Sequence, residues 1–160
     1  MADHEMTTDD VWTKIEAEHI CLFATLDDDA IKARPMAPMV SRADRVIWFM
    51  TDRASHKVQV LEGDSAVTLM FQNSASNWYL SISGSGSVVD DRIKVRELWS
   101  DALKQWFEGP DDPKLVLIAF EPNEADYWDG PNRLIAGLKM LVTAVTGAKT
   151  DMGNAGKVLM

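Results

Sequence analysis

Residues 46–57 read Val46-Ile47-Trp48-Phe49-Met50-Thr51-Asp52-Arg53-Ala54-Ser55-His56-Lys57. The first six are β-branched, aromatic or apolar and predict a strand over 46–51, which Asp52 ends. From Ala54 the pattern changes. Val58 and Leu61 at helical spacing predict a short helix over 54–62, with Gly63 where a C-cap belongs. A strand running directly into a short helix fits two architectures, a βαβ nucleotide fold or a barrel of hairpins with helices inserted. The flanking sequence decides between them.

Toward the N-terminus, Ile20–Leu26 is an apolar run with Phe and Thr, Asp27–Asp29 supply a turn, and Ile31–Val40 can return as the partner strand. Before it, Thr7 and Thr8 precede an acidic first turn at Asp9 and Asp10, and Val11, Trp12, Ile15 and Ala17 give an imperfect apolar stripe. These predict an N-terminal helix within about residues 1–19. Toward the C-terminus, 65–72 and 78–89 read as two strands around the Asn73-Ser74-Ala75-Ser76-Asn77 turn cluster. Gly84, Ser85 and Gly86 suggest a bulge or a close backbone approach inside the second. Asp90-Asp91 cap a helix expected to run to about Phe107, and 115–128 supply a long strand interrupted around Pro122. Past Gly130-Pro131, Asn132 can cap a helix over about 131–146, whose stripe is Leu134, Leu138, Leu141 and Val145, widened by Ile135 and Val142. The segment 147–160 is expected to be a tail, mobile for part of its length. Antiparallel hairpins with inserted helices predict one mainly-β α+β barrel domain over 1–160 rather than a βαβ fold.

Composition removes several classes of function. The 160 residues suffice for one sizeable core, and no apolar run approaches the roughly 20 residues of a membrane span. With an acidic, polar beginning, the chain is expected in the cytoplasm. A formal net charge of -9 argues against nucleic-acid and anionic-membrane partners. One cysteine excludes an intrachain disulfide and a thiolate zinc site, and Cys21 in Ile20-Cys21-Leu22-Phe23 reads as a small core residue. No metal site is expected: Asp27-Asp28-Asp29 is explained by a turn, and His4 and His19 lack a spaced ligand partner. The charge is nevertheless uneven. Residues 30–58 hold six basic side chains (Lys32, Arg34, Arg42, Arg45, Arg53, Lys57) against two acidic (Asp44, Asp52), a net +4 that leaves -13 on the remainder. Such a segment is either a solvated face or a site for a small anion.

Ser55-His56-Lys57 begins a predicted helix just after a strand. A hydroxyl, an imidazole, an ammonium and the unpaired first-turn N–H groups can therefore meet on one anion, phosphate being the obvious one. A hydroxyl cap followed by exposed basic residues would look the same. Arg34, on a neighbouring hairpin strand, adds a bidentate partner for the same phosphate and favours the ligand reading.

Arg34-Pro35-Met36-Ala37-Pro38-Met39 and Trp48-Phe49-Met50-Thr51, followed by Ser55-His56-Lys57, resemble the two FMN-contacting segments of pyridoxamine 5'-phosphate oxidases. Tyr127-Trp128-Asp129-Gly130 with Asn132-Arg133-Leu134 is similar to that family's C-terminal segment. The likeness covers about residues 22–134. It implies an antiparallel split β-barrel with flanking helices and a C-terminal helix, working as a homodimer with FMN between subunits. It also implies cofactor contacts from Arg34, Pro35, Met36, Met50, Thr51, Ser55, His56, Lys57 and Trp128. Among the six tryptophans, those at 12, 99 and 106 are expected to pack, whereas Trp48, Trp78 and Trp128 are candidates beside the ring system.

The departures narrow the function. Where the oxidases place a lysine for the substrate phosphate, this chain has Met39, which offers neither donor nor charge. Their C-terminal signature continues with histidine and a final arginine, whereas here Arg133-Leu134 is followed by Ile135-Ala136-Gly137. Vitamin oxidation is therefore not expected. The pattern resembles the shorter general-stress-type relatives. It implies an FMN-dependent oxidoreductase taking electrons from NADH or NADPH to a small acceptor, or else a non-catalytic flavin-binding stress protein. No catalytic side chain is identified.

Overall fold

The computed structural model describes residues 5–131, 133–149 and 153–160; His4 and Asn132, discussed above, lie outside them. In chain order the elements are α1 (Thr8–Glu16), β1 (Cys21–Asp27), β2 (Ala30–Met36), β3 (Met39–Ser41), β4 (Val46–Asp52), α2 (His56–Gly63), β5 (Ala66–Asn73), β6 (Trp78–Val89), α3 (Arg92–Leu98), β7 (Leu115–Asp129), α4 (Arg133–Thr146) and β8 (Asn154–Leu159). The strands form one sheet in the order β2-β1-β5-β6-β7-β4-β3, with β8 also on β7, and every pairing is antiparallel.

This order forces a barrel. A flat sheet would hold its edge strands β2 and β3 about 29 Å apart, at roughly 4.8 Å per strand spacing. Yet Met36 ends β2 and Met39 begins β3, and three Cα–Cα steps reach no more than about 11 Å. The sheet must curl until its two edges nearly meet, without pairing. The seam so produced is the split of a split barrel.

Inside, period-two alternation supplies the filling. Phe23, Ile47, Phe49, Leu69, Leu80, Ile82 and Phe120 are buried. Phe23 of β1 and Phe49 of β4 meet edge to face at 5.2 Å across the interior, a contact that contributes about 0.5–1.5 kcal/mol beyond its area. Helix α1 closes one end with Val11, Trp12 and Ile15. It is started by a capping box between Thr7 and Asp10. The opposite faces of β4 and β7 carry a second cluster, Val95, Phe107, Leu115 and Leu117, with Trp48, Met50, Leu98 and Trp99 packed against it beside α3.

Several expectations are corrected. The strand expected over 31–40 is two strands on opposite edges of the sheet. Pro38 has no N–H for a ladder, while Pro35 is tolerated because β2 is an edge. The helix expected to reach Phe107 stops at Leu98, Trp99 is extended, and a 3₁₀ turn occupies Asp101–Gln105. The change of period breaks the stripe, so Trp106 is 67 % exposed instead of packed. Pro122 marks a register irregularity, not a break, in β7. It pairs with Gly84 at a register shift, where a Cβ on Gly84 would lie 2.2 Å from the Glu121 carbonyl oxygen. Finally, the expected tail contains β8, paired along the free edge of β7 from Asn154↔Asp129 to Leu159↔Glu124. Among the described residues no helix is long and apolar enough to cross a membrane.

Candidate functional site

At the seam, β2 on one side faces the β4–α2 junction on the other. Arg34 lies opposite Phe23 in the β1–β2 ladder, on the inner face of the sheet. Its Nη1 donates to Oγ1 of the buried Thr25 at 3.0 Å. Thr25 and Arg34 are diagonal neighbours, because Thr25 pairs with Lys32. This hydroxyl, which the sequence reading did not single out, aims the guanidinium. Counting back from the two-residue Asp28-Asp29 turn would have found it.

Across the seam Ser55 is the N-cap of α2, but its side chain caps no backbone N–H. Its Oγ instead lies 3.4 Å from Oγ1 of the buried Thr51. The first-turn amides of a helix have no carbonyl within the helix to bond, so they carry partial positive charge outward. Lys57 sits in this turn, half-buried. Burial, then the nearby Arg34 guanidinium, hold its ammonium below the usual lysine range, and Asp52 opposes them. Two half-buried cations thus face each other, and among the described residues neither forms an ion pair with a carboxylate. An oxyanion beside them would favour the charge on Lys57.

The remaining predicted residues fall into distinct places. His56 stands at the rim, its Nε2 2.7 Å from Oδ2 of Asp27, which also accepts from Lys32 Nζ at 2.7 Å. Lys32, then His56, keep the Asp27 carboxyl below the ordinary range. Asp27 therefore ties the β1–β2 hairpin to the start of α2, a role hidden while it reads as a turn residue. Met36 packs against the core and Pro35 is exposed near the end of β2. Thr51 faces Ser55, but the Met50 side chain points the other way, into the cluster beside α3.

Trp128 is not brought to this seam. Within β7, Leu117 pairs with Met50 of β4, and the eleven residues on to Trp128 span roughly 35 Å of strand. Trp128 also faces outward, half-exposed, beside the buried Tyr127. It borders an apolar groove of 610 Å³ with Ile20, Leu22, Met70 and Tyr79. A smaller pocket of 240 Å³, which includes Asn77 and Asn154, adjoins it. Cys21 reaches the groove too, but burial pushes its thiol up to about 12, which leaves no thiolate for chemistry. The other candidate tryptophans pack: Trp78 is buried beneath Lys14, and Trp48 lies under Lys94 beside α3.

Residues 6–151 match a family model described as pyridoxamine 5'-phosphate oxidase like. General stress protein 26 of Bacillus subtilis is 26 % identical over 81 residues, which cover 49 % of this chain and 58 % of that protein. The chain spans about half the length of the curated relatives it matches. Among solved structures, a protein of Jannaschia sp. CCS1 described as a general stress protein 26 superposes with a TM-score of 0.76 at 20 % identity, covering 96 % of this chain and 97 % of that one. At that identity it shows the fold. A general stress FMN/FAD binding protein of Xanthomonas citri superposes with a TM-score of 0.67 at 25 % identity, covering 74 % and 85 %.

Proposed function

The chain belongs to the pyridoxamine 5'-phosphate oxidase-like family, and from that premise we propose that it binds FMN by its phosphate and acts as an FMN-dependent oxidoreductase of the general-stress type. The observation that carries this reading is the Arg34 guanidinium, aimed by the buried Thr25 Oγ1 at 3.0 Å, together with Lys57 at the start of α2, whose ammonium burial and Arg34 hold below the usual lysine range. Arg34 would grip two phosphate oxygens, held by Thr25. Lys57 and the α2 amides would neutralise the remaining charge, and Ser55 would donate its hydroxyl. The backbone of the Pro35–Ala37 link and of Met50–Thr51 would lie along the flavin. His56, kept near the rim by Asp27, would close one side. The likeness to a Xanthomonas citri protein described as FMN/FAD binding supports a flavin cofactor.

Bound FMN would supply the hydride and electron chemistry of its ring; the chain supplies orientation and access. Trp128 lies on the outer face of the sheet, on a strand four places from the Arg34 strand, which supports a reading in which one flavin does not touch both within one chain. If Trp128 borders a flavin, it borders that of a second copy, and the working form is a homodimer. NADH or NADPH and a small acceptor are the expected partners.

The test is a flavin titration of wild-type protein against the Arg34→Ala/Lys57→Ala variant. Losing a charged hydrogen bond costs about 1.5–3 kcal/mol, so each change weakens FMN roughly 10–150-fold. Equal affinity in the two proteins would remove the flavin assignment. Anaerobic addition of NADH or NADPH to the loaded protein should then bleach the flavin absorbance, and an acceptor should restore it. Tight binding with no reduction by any donor would establish the non-catalytic reading instead.

A further inference from the structure

Strands β7 and β8 are antiparallel neighbours whose register closes at Asp129↔Asn154, where a two-residue turn would suffice. The chain instead leaves the sheet at 130, forms α4 and returns at 153. Its root is tight. Gly153 has φ +120°, and a Cβ there would lie 2.2 Å from the Asp129 carbonyl oxygen. The far end of α4 is capped by Gly147 in the left-handed conformation, its N–H donating to the Thr143 carbonyl at 2.8 Å. Between these ends Leu138, Leu141, Val142 and Val145 form one stripe at i, i+3, i+4 and i+7. All four are exposed, from 43 % at Val142 to 78 % at Val145.

We propose that α4 is a docking arm whose stripe lies in the outer-face groove of a second copy of this chain. The proposal deepens, and rests on, the two-copy reading of the flavin site. Three observations select this occupant. The first is dimension. The groove crosses β1, β5, β6 and β7, three strand spacings or about 14 Å, and the stripe from Leu138 to Val145 rises about 10 Å along its helix. Helix and groove lie on the same chain, so a two-fold arrangement buries each patch twice.

The second is area. Leu138, Leu141, Val142 and Val145 with Ile20, Leu22, Tyr79 and Trp128 are roughly half-exposed large side chains, giving on the order of 300–600 Å² of apolar area per copy. With the polar rim that makes up about 40 % of an interface, this reaches the ~800 Å² per partner of a stable complex.

The third is charge. Residues 130–149 carry Arg133, Lys139 and Lys149 and no acid, a net +3, so the rest of the chain holds -12 of the total -9. The arm is drawn to the acidic body of a second copy, whereas that body is repelled by an anionic lipid surface.

The experiment replaces residues 130–153 with Asn-Gly and compares sedimentation-equilibrium masses. Wild-type protein should sediment as two 17.8-kDa chains and the shortened protein as one, with dimer dissociation raised at least 100-fold. A Leu141→Glu/Val145→Glu variant, altered only at exposed positions, should behave alike, which guards against misfolding of the shortened form. Mixing Leu141→Cys chains with Tyr79→Cys chains should yield an interchain disulfide under mild oxidation, the buried Cys21 thiol taking no part. A shortened protein that stays dimeric and still binds FMN would overturn the arm while leaving the flavin site standing. A wild-type monomer that binds FMN tightly would overturn the two-copy reading as well. A disulfide formed only within Leu141→Cys/Tyr79→Cys double-variant chains would place the arm on its own groove. Unchanged mass with α4-dependent binding to phosphatidylserine vesicles would make it a lipid anchor; either result overturns the proposal.

Discussion

Lys57 carries an unfavourable charge in the folded chain, because burial and Arg34 both work against its proton. The unfolded chain holds that proton more tightly. Between the lowered folded value and the ordinary lysine value the unfolded state therefore binds more protons, and flavin-free stability rises with pH across that window. An anion at the seam reverses the preference, so FMN affinity should fall as pH climbs through the lowered Lys57 value. Lys57→Arg, whose guanidinium does not titrate, should flatten this fall. A titration series from neutral pH upward in both proteins checks it, and parallel curves would remove Lys57 from the site. At this scale the sequence was informative about residue types: Arg34 acts electrostatically on Lys57, and Ser55 begins the helix that carries Lys57. It was silent on side-chain direction. Met50 and Thr51 are adjacent in sequence, yet one faces the cluster beside α3 and the other faces Ser55. Thr25 and Asp27 gain their roles only once hairpin register sets Thr25 beside Arg34 and the fold brings α2 against Asp27.

Elements were legible where the pattern was local. The capping box of α1, the two-residue β1–β2 turn and the strand-to-helix junction at Asp52–His56 all follow from neighbours within a few residues. Elements were missed where a partner distant in sequence made them. The strand β8 buries only Val158 well, and its Gly156 lies flat on the Tyr127 ring. No alternation announces such a strand; the open edge of β7 does. The bulge at Gly84 lies between these cases, since the Gly84-Ser85-Gly86 run hints at it but only the approach of Glu121 explains it. Gly84→Ala should push β6 off β7 and cost about 1–3 kcal/mol as overpacking does. That corresponds to a melting temperature lower by roughly 2–12 °C for a domain of this size. Gly63→Ala, with open space around its Cβ, is the control, and equal melting temperatures for the two variants would contradict the close approach.

For the molecule as a whole, the separation of Arg34 and Lys57 from Trp128 has a direct consequence in mixed dimers. With the proposed flavin site shared between two copies, chains carrying Arg34→Ala/Lys57→Ala, combined with chains carrying Trp128→Ala, would form one site with every change and one with none. Such hybrids should recover about one tight FMN site per dimer, although neither parent binds normally, and calorimetric stoichiometry reads this directly. Additive loss in both sites would confine each flavin to one chain. The sequence alone determined the mainly antiparallel character, the exclusion of an intrachain disulfide and the strand-to-helix junction that carries Ser55-His56-Lys57, because these depend on composition, short-range period and turn residues. Tertiary structure decided that β2 and β3 part to opposite edges, that a tail becomes a strand, and that Trp128 faces away from the seam. Those outcomes come from pairings between residues far apart in the chain, and a pattern read along the chain carries no record of which distant strand will be its neighbour.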